Sequence, residues 1–299
     1  MTPQLVPTAQ TPGVMIHFTH TTRYSYSGPV SFGEHRLVMR PRESYHQRLT
    51  AIELAIAPNH RITWAEDIFG NMVATAEFFE MASELAITSQ FSVWRSTPPE
   101  GIHGPDGILV EVPSFYSGIE QGATYLYRNA VYPRQLELVR KWVMDQHIMG
   151  VPGERVPLFD RMAAAIRSQI GYQRREVPGV QSPKETLRIK TGSCRDTAVL
   201  MMEAARSIGF AARFVSGYLD SEVSRVGDGA THAWTEIYLP DRGWTGFDPS
   251  IGGQVDVDHI AVGVCYHPRG VMPITGSFKG HGHRPLGMEV EISSRREKC

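Results

Sequence analysis

The amino-acid sequence predicts an α+β protein. An antiparallel β-rich N-terminal domain spans residues 15–125, and a mixed domain over residues 126–299 carries the chemistry. Three observations predict this. From Met15 to about residue 95, short alternating runs rich in β-branched and aromatic residues are separated by turn signals, the pattern of a sandwich. After Pro133 the apolar spacing becomes that of helices. After Phe210 it returns to strands, so the helices are followed by a second sheet.

Residues 1–14, MTPQLVPTAQTPGV, form a Pro/Thr-rich lead-in that reads as disordered, without the basic start or apolar stretch of a signal peptide. MIHFTHTTRYSYS is the first strand, ended by a turn at Gly28-Pro29. VSFGEHRLVMRPR, LTAIELAIAP, ITWAEDIFGNMVATAEFFE with a turn at Gly70-Asn71, and ELAITSQFSVW continue the series. TPPEGIHGPDGILVEVP, rich in Gly and Pro, is a linker or long loop. RQLELVRKWVMDQH and LFDRMAAAIRSQIGY have helical spacing, the second with Phe159, Met162, Ala163, Ile166 and Ile170 on one face. SPKETLRI is a short helix with Ser182 as N-cap and Pro183 in its first position. Ala198, Met201, Met202, Ala205 and Ile208 then mark a helix that begins near Cys194 and is ended by Gly209. FAARFVSGYL, THAWTEIYL and GWTGFD are strands, and the Gly-rich remainder holds shorter strand-like pieces, HIAVGVCY and GMEVEIS.

Composition excludes several classes of function. A chain of 299 residues, 41% hydrophobic and 20% charged, can bury a sizeable core. A net charge of -1 gives no drive toward nucleic acid or an anionic membrane, and no apolar run approaches the ~20 residues of a spanning helix. No nucleic-acid or membrane partner is therefore expected. Three cysteines, Cys194, Cys265 and Cys299, make a poor disulfide framework and favour a reducing, cytoplasmic compartment. Phosphate-cradling glycine loops are absent. His281-Gly282-His283, with Cys265 and His267, is weak evidence for a metal, because no CxxC or HExxH accompanies it. Neither a metal nor an organic cofactor is expected. Oligomeric state leaves no mark on the sequence.

Three segments together suggest chemistry. Cys194, in TGSCRD, lies at the start of a packed helix, where the dipole and unpaired amides favour an anion such as a thiolate. His232, in THAWTEIYL, shares a strand face with Trp234, Glu236 and Tyr238, while Ala233, Ile237 and Leu239 face a core. Asp248 ends GWTGFD before Pro249. Taken singly, a buried thiol, a structural histidine and a turn-forming aspartate are the commoner roles. Taken together, a thiol, a base and a residue that orients the base form a nucleophilic set. Pro240-Asp241-Arg242-Gly243 predicts a hairpin between the two strands. A turn centred on residue 240 sets His232 beside Asp248; a later centre leaves them diagonal.

GSCRD before an apolar helix, then RFVSGYL, then THAWTEIYLPDRGWTGFDPS, resemble the core of the bacterial transglutaminase-like superfamily of cysteine proteases. Its pattern is a Gly-x-Cys-x-Asp turn, a His-Ala-Trp strand and a Gly-Trp-x-x-x-Asp-Pro strand. HTTRYSYSGPVSFGEHRLVMRPR resembles the N-terminal region that accompanies this core, and DHIAVGVCYHPRGVMPITGSFKG its terminal strands. Ser193 departs from the apolar residue common at its position. The resemblance implies a transglutaminase/papain-like fold, with the nucleophile helix packed on an antiparallel sheet. It implies Cys194 as nucleophile, His232 as general base and acid, and Asp248 as the orienter of His232. The Cys194 backbone N–H becomes one oxyanion donor, with Tyr172 or Gln173 near the other. Trp234 and Trp244 are candidates for the substrate groove, and Asp196 braces the turn. The implied activity is hydrolysis of peptide or amide bonds through a thioester. Acyl transfer and deamidation are the alternative chemistries, and a non-catalytic protein-binding module is the alternative of another class.

Overall fold

The computed structural model describes residues 13–96, 116–146, 148, 158–175, 179–222, 229–240 and 242–298. The predicted lead-in, apart from Gly13 and Val14, and the predicted linker at 97–113 lie outside the described residues.

Period-two alternation in the first hundred residues produces two antiparallel sheets. The strands are β1 (Gly13–Phe32), β2 (His35–Leu37), β3 (Gln47–Ala57), β4 (His60–Glu66), β5 (Met72–Phe78) and β6 (Ala82–Ser96). β6 lies between β1 and β3 in one sheet, and β5 between β2 and β4 in the other. Between them are buried Val30, Phe32, Leu37, Ala74, Leu85 and Ile87. The turn expected at Gly28-Pro29 is not a reversal. β1 runs through it, and its pairing with β6 shifts register between Ser25 and Val30. A Gly-Pro pair can mark such a break in pairing as readily as a hairpin, because one lacks a side chain and the other a donor.

Helical spacing gives α1 (Gly118–Arg128), α2 (Leu136–Asp145), α3 (Leu158–Gln169) and α4 (Pro183–Ile189). The predicted face of α3 is buried throughout: Phe159, Met162, Ala163 and Ile166, with Ile170 just beyond. Ser182 caps α4 by accepting from the Glu185 amide. Two short strands, β7 (Gly171–Tyr172) and β8 (Thr191–Gly192), pair in parallel just before α5 (Cys194–Ser207). α1 was not foreseen; part of it falls in the stretch assigned to the β-rich domain. Its signal is nevertheless in the sequence, a capping box in which Ser117 and Glu120 bond reciprocally.

β9 (Ala212–Leu219), β10 (Thr231–Leu239), β11 (Gly243–Asp248), β12 (Gly253–Gln254) and β13 (His259–Cys265) form one antiparallel sheet, in the order β12-β11-β10-β9-β13. α5 packs on this sheet. Its residues join Ala233, Ile237, Leu239 and Phe247 in a single core, and Thr235 donates to the Ala198 carbonyl. The last strands, β14 (Ile274–Thr275), β15 (Phe278–Lys279) and β16 (Pro285–Lys298), return to the N-terminal sheets. β16 pairs with β1 from Val14↔Lys298 to Tyr26↔Pro285. The segment assigned by sequence to the second domain thus completes the first. Hydrogen-bonded partners in a sheet need not be neighbours in the chain, so alternation alone does not reveal them.

The two halves share a core. Ile16, Phe18, Phe91, Val93 and Ile292 of the N-terminal sheet pack with Tyr218, Ile260 and Val262 of the second sheet. β13 is the edge of its sheet, and side chains from the other half satisfy its outer groups. Gln47 bonds both the N–H and the carbonyl of Ala261, and Asn71 does the same for Val264. Two amide side chains thus stand where a further strand would pair.

Candidate active site

The turn that leads into Cys194 is built on Asp196, which is fully buried. It accepts from the Ser193 amide at 2.8 Å, the Ser193 hydroxyl at 2.8 Å, the Gln181 amide at 2.7 Å and Arg175 Nη1 at 2.7 Å. This charged, fully satisfied carboxylate sets the entry of α5 and so presents Cys194 as its first residue. Gly192 is required beside it, since a Cβ there would lie 2.9 Å from Asp196 Cβ.

His232 and Asp248 come from β10 and β11. The hairpin pairs Thr235 with Phe247 and Leu239 with Gly243. Its turn is therefore centred past residue 240, the later of the two predicted registers, in which Asp248 lies diagonal to His232. They nevertheless meet at 2.6 Å between Nε2 and Oδ2, because diagonal neighbours on one face are within reach of long side chains. Cys194 lies close enough to His232 to help raise the pKa of its imidazole. With Nε2 given to Asp248, Nδ1 is the ring nitrogen left for other partners.

The electrostatics of the pair are coupled. Burial lowers the His232 pKa, but hydrogen bonds to Asp248 and Cys194 and their negative charge outweigh it and hold the imidazole well above its ordinary value. Burial likewise raises Asp248, and its bonds to His232, His259 and Ser250 override that and hold it below the usual carboxylate range. Sequence reasoning missed His259. Its Nε2 lies 3.2 Å from Asp248 Oδ2, and its ring stands edge-on to Trp234. No local signal distinguishes a histidine at the start of an apolar strand. His232, Asp248 and His259 offer ligand atoms within 4.8 Å of one another, a spacing that would also suit a cation. Each of those atoms already takes part in the hydrogen-bonded chain.

The remaining candidates fall in different places. Gln173 N–H bonds the Gly192 carbonyl at 2.8 Å, which holds the Tyr172-Gln173 segment alongside the turn before Cys194. Burial, then negative charge at Cys194, push the Tyr172 phenol up, and its side chain is exposed at 57%. Trp234 is buried, its ring 6.2 Å from that of His232 and 5.3 Å from that of His259. Trp244 is at the other end of β11, in edge-to-face contact with Tyr127 and Tyr238 and with Arg213 over its ring at 4.1 Å; the structure does not bring it to Cys194. His281 bonds Ser31, and His267 accepts from the Arg269 amide, so neither is gathered with Cys265 into one cluster.

Comparisons with known proteins agree with this architecture. The profile of the bacterial transglutaminase-like N-terminal region matches residues 16–94, and that of the transglutaminase-like superfamily matches residues 148–249. An uncharacterized protein of Mycobacterium tuberculosis is 30% identical over 271 residues, 86% of this chain and 85% of its own length. One of Mycobacterium leprae is 28% identical over 287 residues, 92% and 96% of the two chains. A crystal structure from Cytophaga hutchinsonii, described as "a Putative Cysteine Protease", superposes with a TM-score of 0.68 at 15% identity, covering 94% of this chain and 91% of that one. At that identity the likeness is one of fold. Among the described residues, no helix is long and apolar enough to cross a membrane.

Proposed function

The chain belongs to the transglutaminase-like superfamily, and from that premise we propose that it is a cysteine-nucleophile hydrolase of peptide or amide bonds. The observation that carries this reading is the 2.6 Å bond between His232 and Asp248, with Cys194 near enough to His232 to help raise its pKa.

The groups at the site support the following reaction. An imidazolium beside the sulfur stabilises a thiolate by charge, and α5 adds the field of its N-terminus. The thiolate attacks the carbonyl carbon, and the backbone N–H of Cys194 receives the developing oxyanion. His232 gives its proton to the leaving amine, the C–N bond breaks, and a thioester remains on Cys194. Water then attacks, His232 takes its proton, and the C–S bond breaks to release the acid. Asp248 keeps Nε2 of His232 protonated and its ring in plane, so Nδ1 is the nitrogen that exchanges the proton. An amine in place of water gives acyl transfer, and a glutamine side-chain substrate gives deamidation. The free thiols of Cys194 and Cys265 suit a reducing cytoplasm.

A panel of peptide, amide and ester substrates tests the reading, with wild type set against Cys194→Ala and the thioester trapped by mass spectrometry. Loss of turnover and of the trapped adduct in the variant is the expected result. Turnover that survives it removes Cys194 from the chemistry. A wild type inert on the whole panel, with no adduct, favours a binding module.

A further inference from the structure

We infer that His259 is a positioning residue of this site, its Nε2–H holding the Asp248 carboxylate in the orientation that receives His232. The inference rests on the catalytic reading above. Asp248 is fully buried, and its two oxygens are divided between four donors. Oδ1 accepts from the Ser250 amide at 2.8 Å and the Ser250 hydroxyl at 2.7 Å. Oδ2 accepts from His232 at 2.6 Å and from His259 at 3.2 Å. Ser250 holds one end of the carboxylate, so His259 is the donor that fixes its plane against rotation toward His232 alone.

The proton on Nε2 of His259 is required by Asp248 Oδ2, 3.2 Å away, because a carboxylate oxygen can only accept. Nδ1 meets the Asp256 amide at 3.2 Å and Asp256 Oδ1 at 2.8 Å. If Nδ1 accepts from the amide, the neutral ring carries its proton on Nε2. If Nδ1 donates to the Asp256 carboxylate, Nε2 still needs its proton to meet Asp248. A bare Nε2 would set a lone pair against the Asp248 carboxylate. The ring itself is buried, with 1% of its side chain exposed. Its support comes from the other half of the molecule. Arg95 of β6 donates to the carbonyls of Asp256 at 2.7 Å and Val257 at 3.3 Å, holding the loop that carries His259.

The groups that face His259 are Asp248 from β11, His232 and Trp234 from β10, and Asp256 from its own loop, with Arg95 behind that loop. Asp220, Asp258 and Arg296 form a separate ion-paired cluster nearby.

The test needs no substrate. On the full chain, the rate at which iodoacetamide alkylates Cys194 is followed against pH by peptide mapping, in wild type, His259→Phe, His259→Gln, Asp256→Ala and His232→Ala. A positioning role predicts that His259→Phe slows alkylation at neutral pH about 10- to 100-fold and moves the profile to higher pH, the scale of losing one hydrogen bond to a charge. Gln places an amide N–H near the site of Nε2 and recovers most of the rate. Asp256→Ala moves the profile the same way by less. Profiles of His259→Phe and Asp256→Ala that coincide with wild type, in folded protein, overturn the inference. So does a move to lower pH, which would mean that His259 competes with His232 for Asp248. If His259→Phe does not fold, Asp256→Ala decides, since the Asp256 side chain is 57% exposed. A wild-type profile in His232→Ala is a different failure, that of the catalytic reading itself.

Discussion

Asp248 illustrates how one residue acquires its role. An aspartate before a proline at a strand end is compatible with an ordinary turn, and Asp248 does make one, bonding the Ser250 amide through Oδ1. Its other oxygen serves two histidines, one expected and one not. Asp248→Asn removes the charge and can present an N–H to Nε2 of His232, favouring the wrong tautomer. Turnover of whichever substrate the panel identifies should fall about 10⁴-fold, with the circular dichroism spectrum unchanged. A second residue-scale outcome concerns stability. His20 is buried between Tyr218 and Thr22, and burial lowers its pKa from 6.5 to about 4. The folded ring stays neutral where the unfolded chain would bind a proton. Its contribution is present above pH 6.5 and is lost as pH falls toward 4, about 3 kcal/mol in full. His232 has the opposite sign. Its raised pKa favours the folded state below its unfolded value and loses that contribution as pH rises through the folded one. Denaturant titrations from pH 7 to pH 4 should therefore show a shallower decline in His20→Gln than in wild type.

At the scale of elements, α5 is the clearest contrast between pattern and packing. Its apolar stripe identifies one buried face, yet Val199, Leu200, Glu203, Ala204 and Arg206 on the other sides are buried too. The hidden polar pair is fully bonded. Glu203 accepts from the Val131 and Tyr132 amides and from Arg206, and Arg206 also donates to the carbonyls of Tyr127, Ala212 and Tyr266. The loop between α1 and α2 is tied to α5 through these contacts. Glu203→Leu leaves a buried guanidinium and two amides without their acceptor, and urea unfolding should report a loss of about 3–5 kcal/mol. The turn before α5 is equally exacting. Gly192→Ala forces a Cβ against Asp196, so Cys194 alkylation should slow even where the protein remains folded. Sequence shows the glycine, the cysteine and the aspartate at their spacing, but the tightness of the turn is visible only once Asp196 is seen bonded on every side.

Across the whole molecule, the N-terminal sheets are part of the framework of the site. Phe18 and Phe91 pack tilted against Tyr218 across the junction, 5.2 and 5.3 Å between rings, and Asn71 and Gln47 complete the edge of β13. Asn71→Leu strips the Val264 amide and carbonyl of their partners and should cost at least about 2 kcal/mol, read as a lower thermal midpoint of one shared transition. Deleting residues 285–298 removes β16, leaves the long β1 with one open edge and takes Ile292 from the common core. The shortened chain is expected to lose the cooperative transition in both halves, as followed by near-ultraviolet circular dichroism, and not merely in the first.

By itself the sequence determined the local elements, from the alternation of β3 to the N-cap of α4, and the three residues of the proposed reaction. Period, capping and motif spacing are short-range properties written in adjacent letters. Only the tertiary structure decided the diagonal register that joins His232 to Asp248, the return of β16 to β1 and the place of His259. Each of these depends on contacts between segments distant in the chain, where burial and hydrogen-bond satisfaction across the whole fold select one arrangement among several that the local pattern permits.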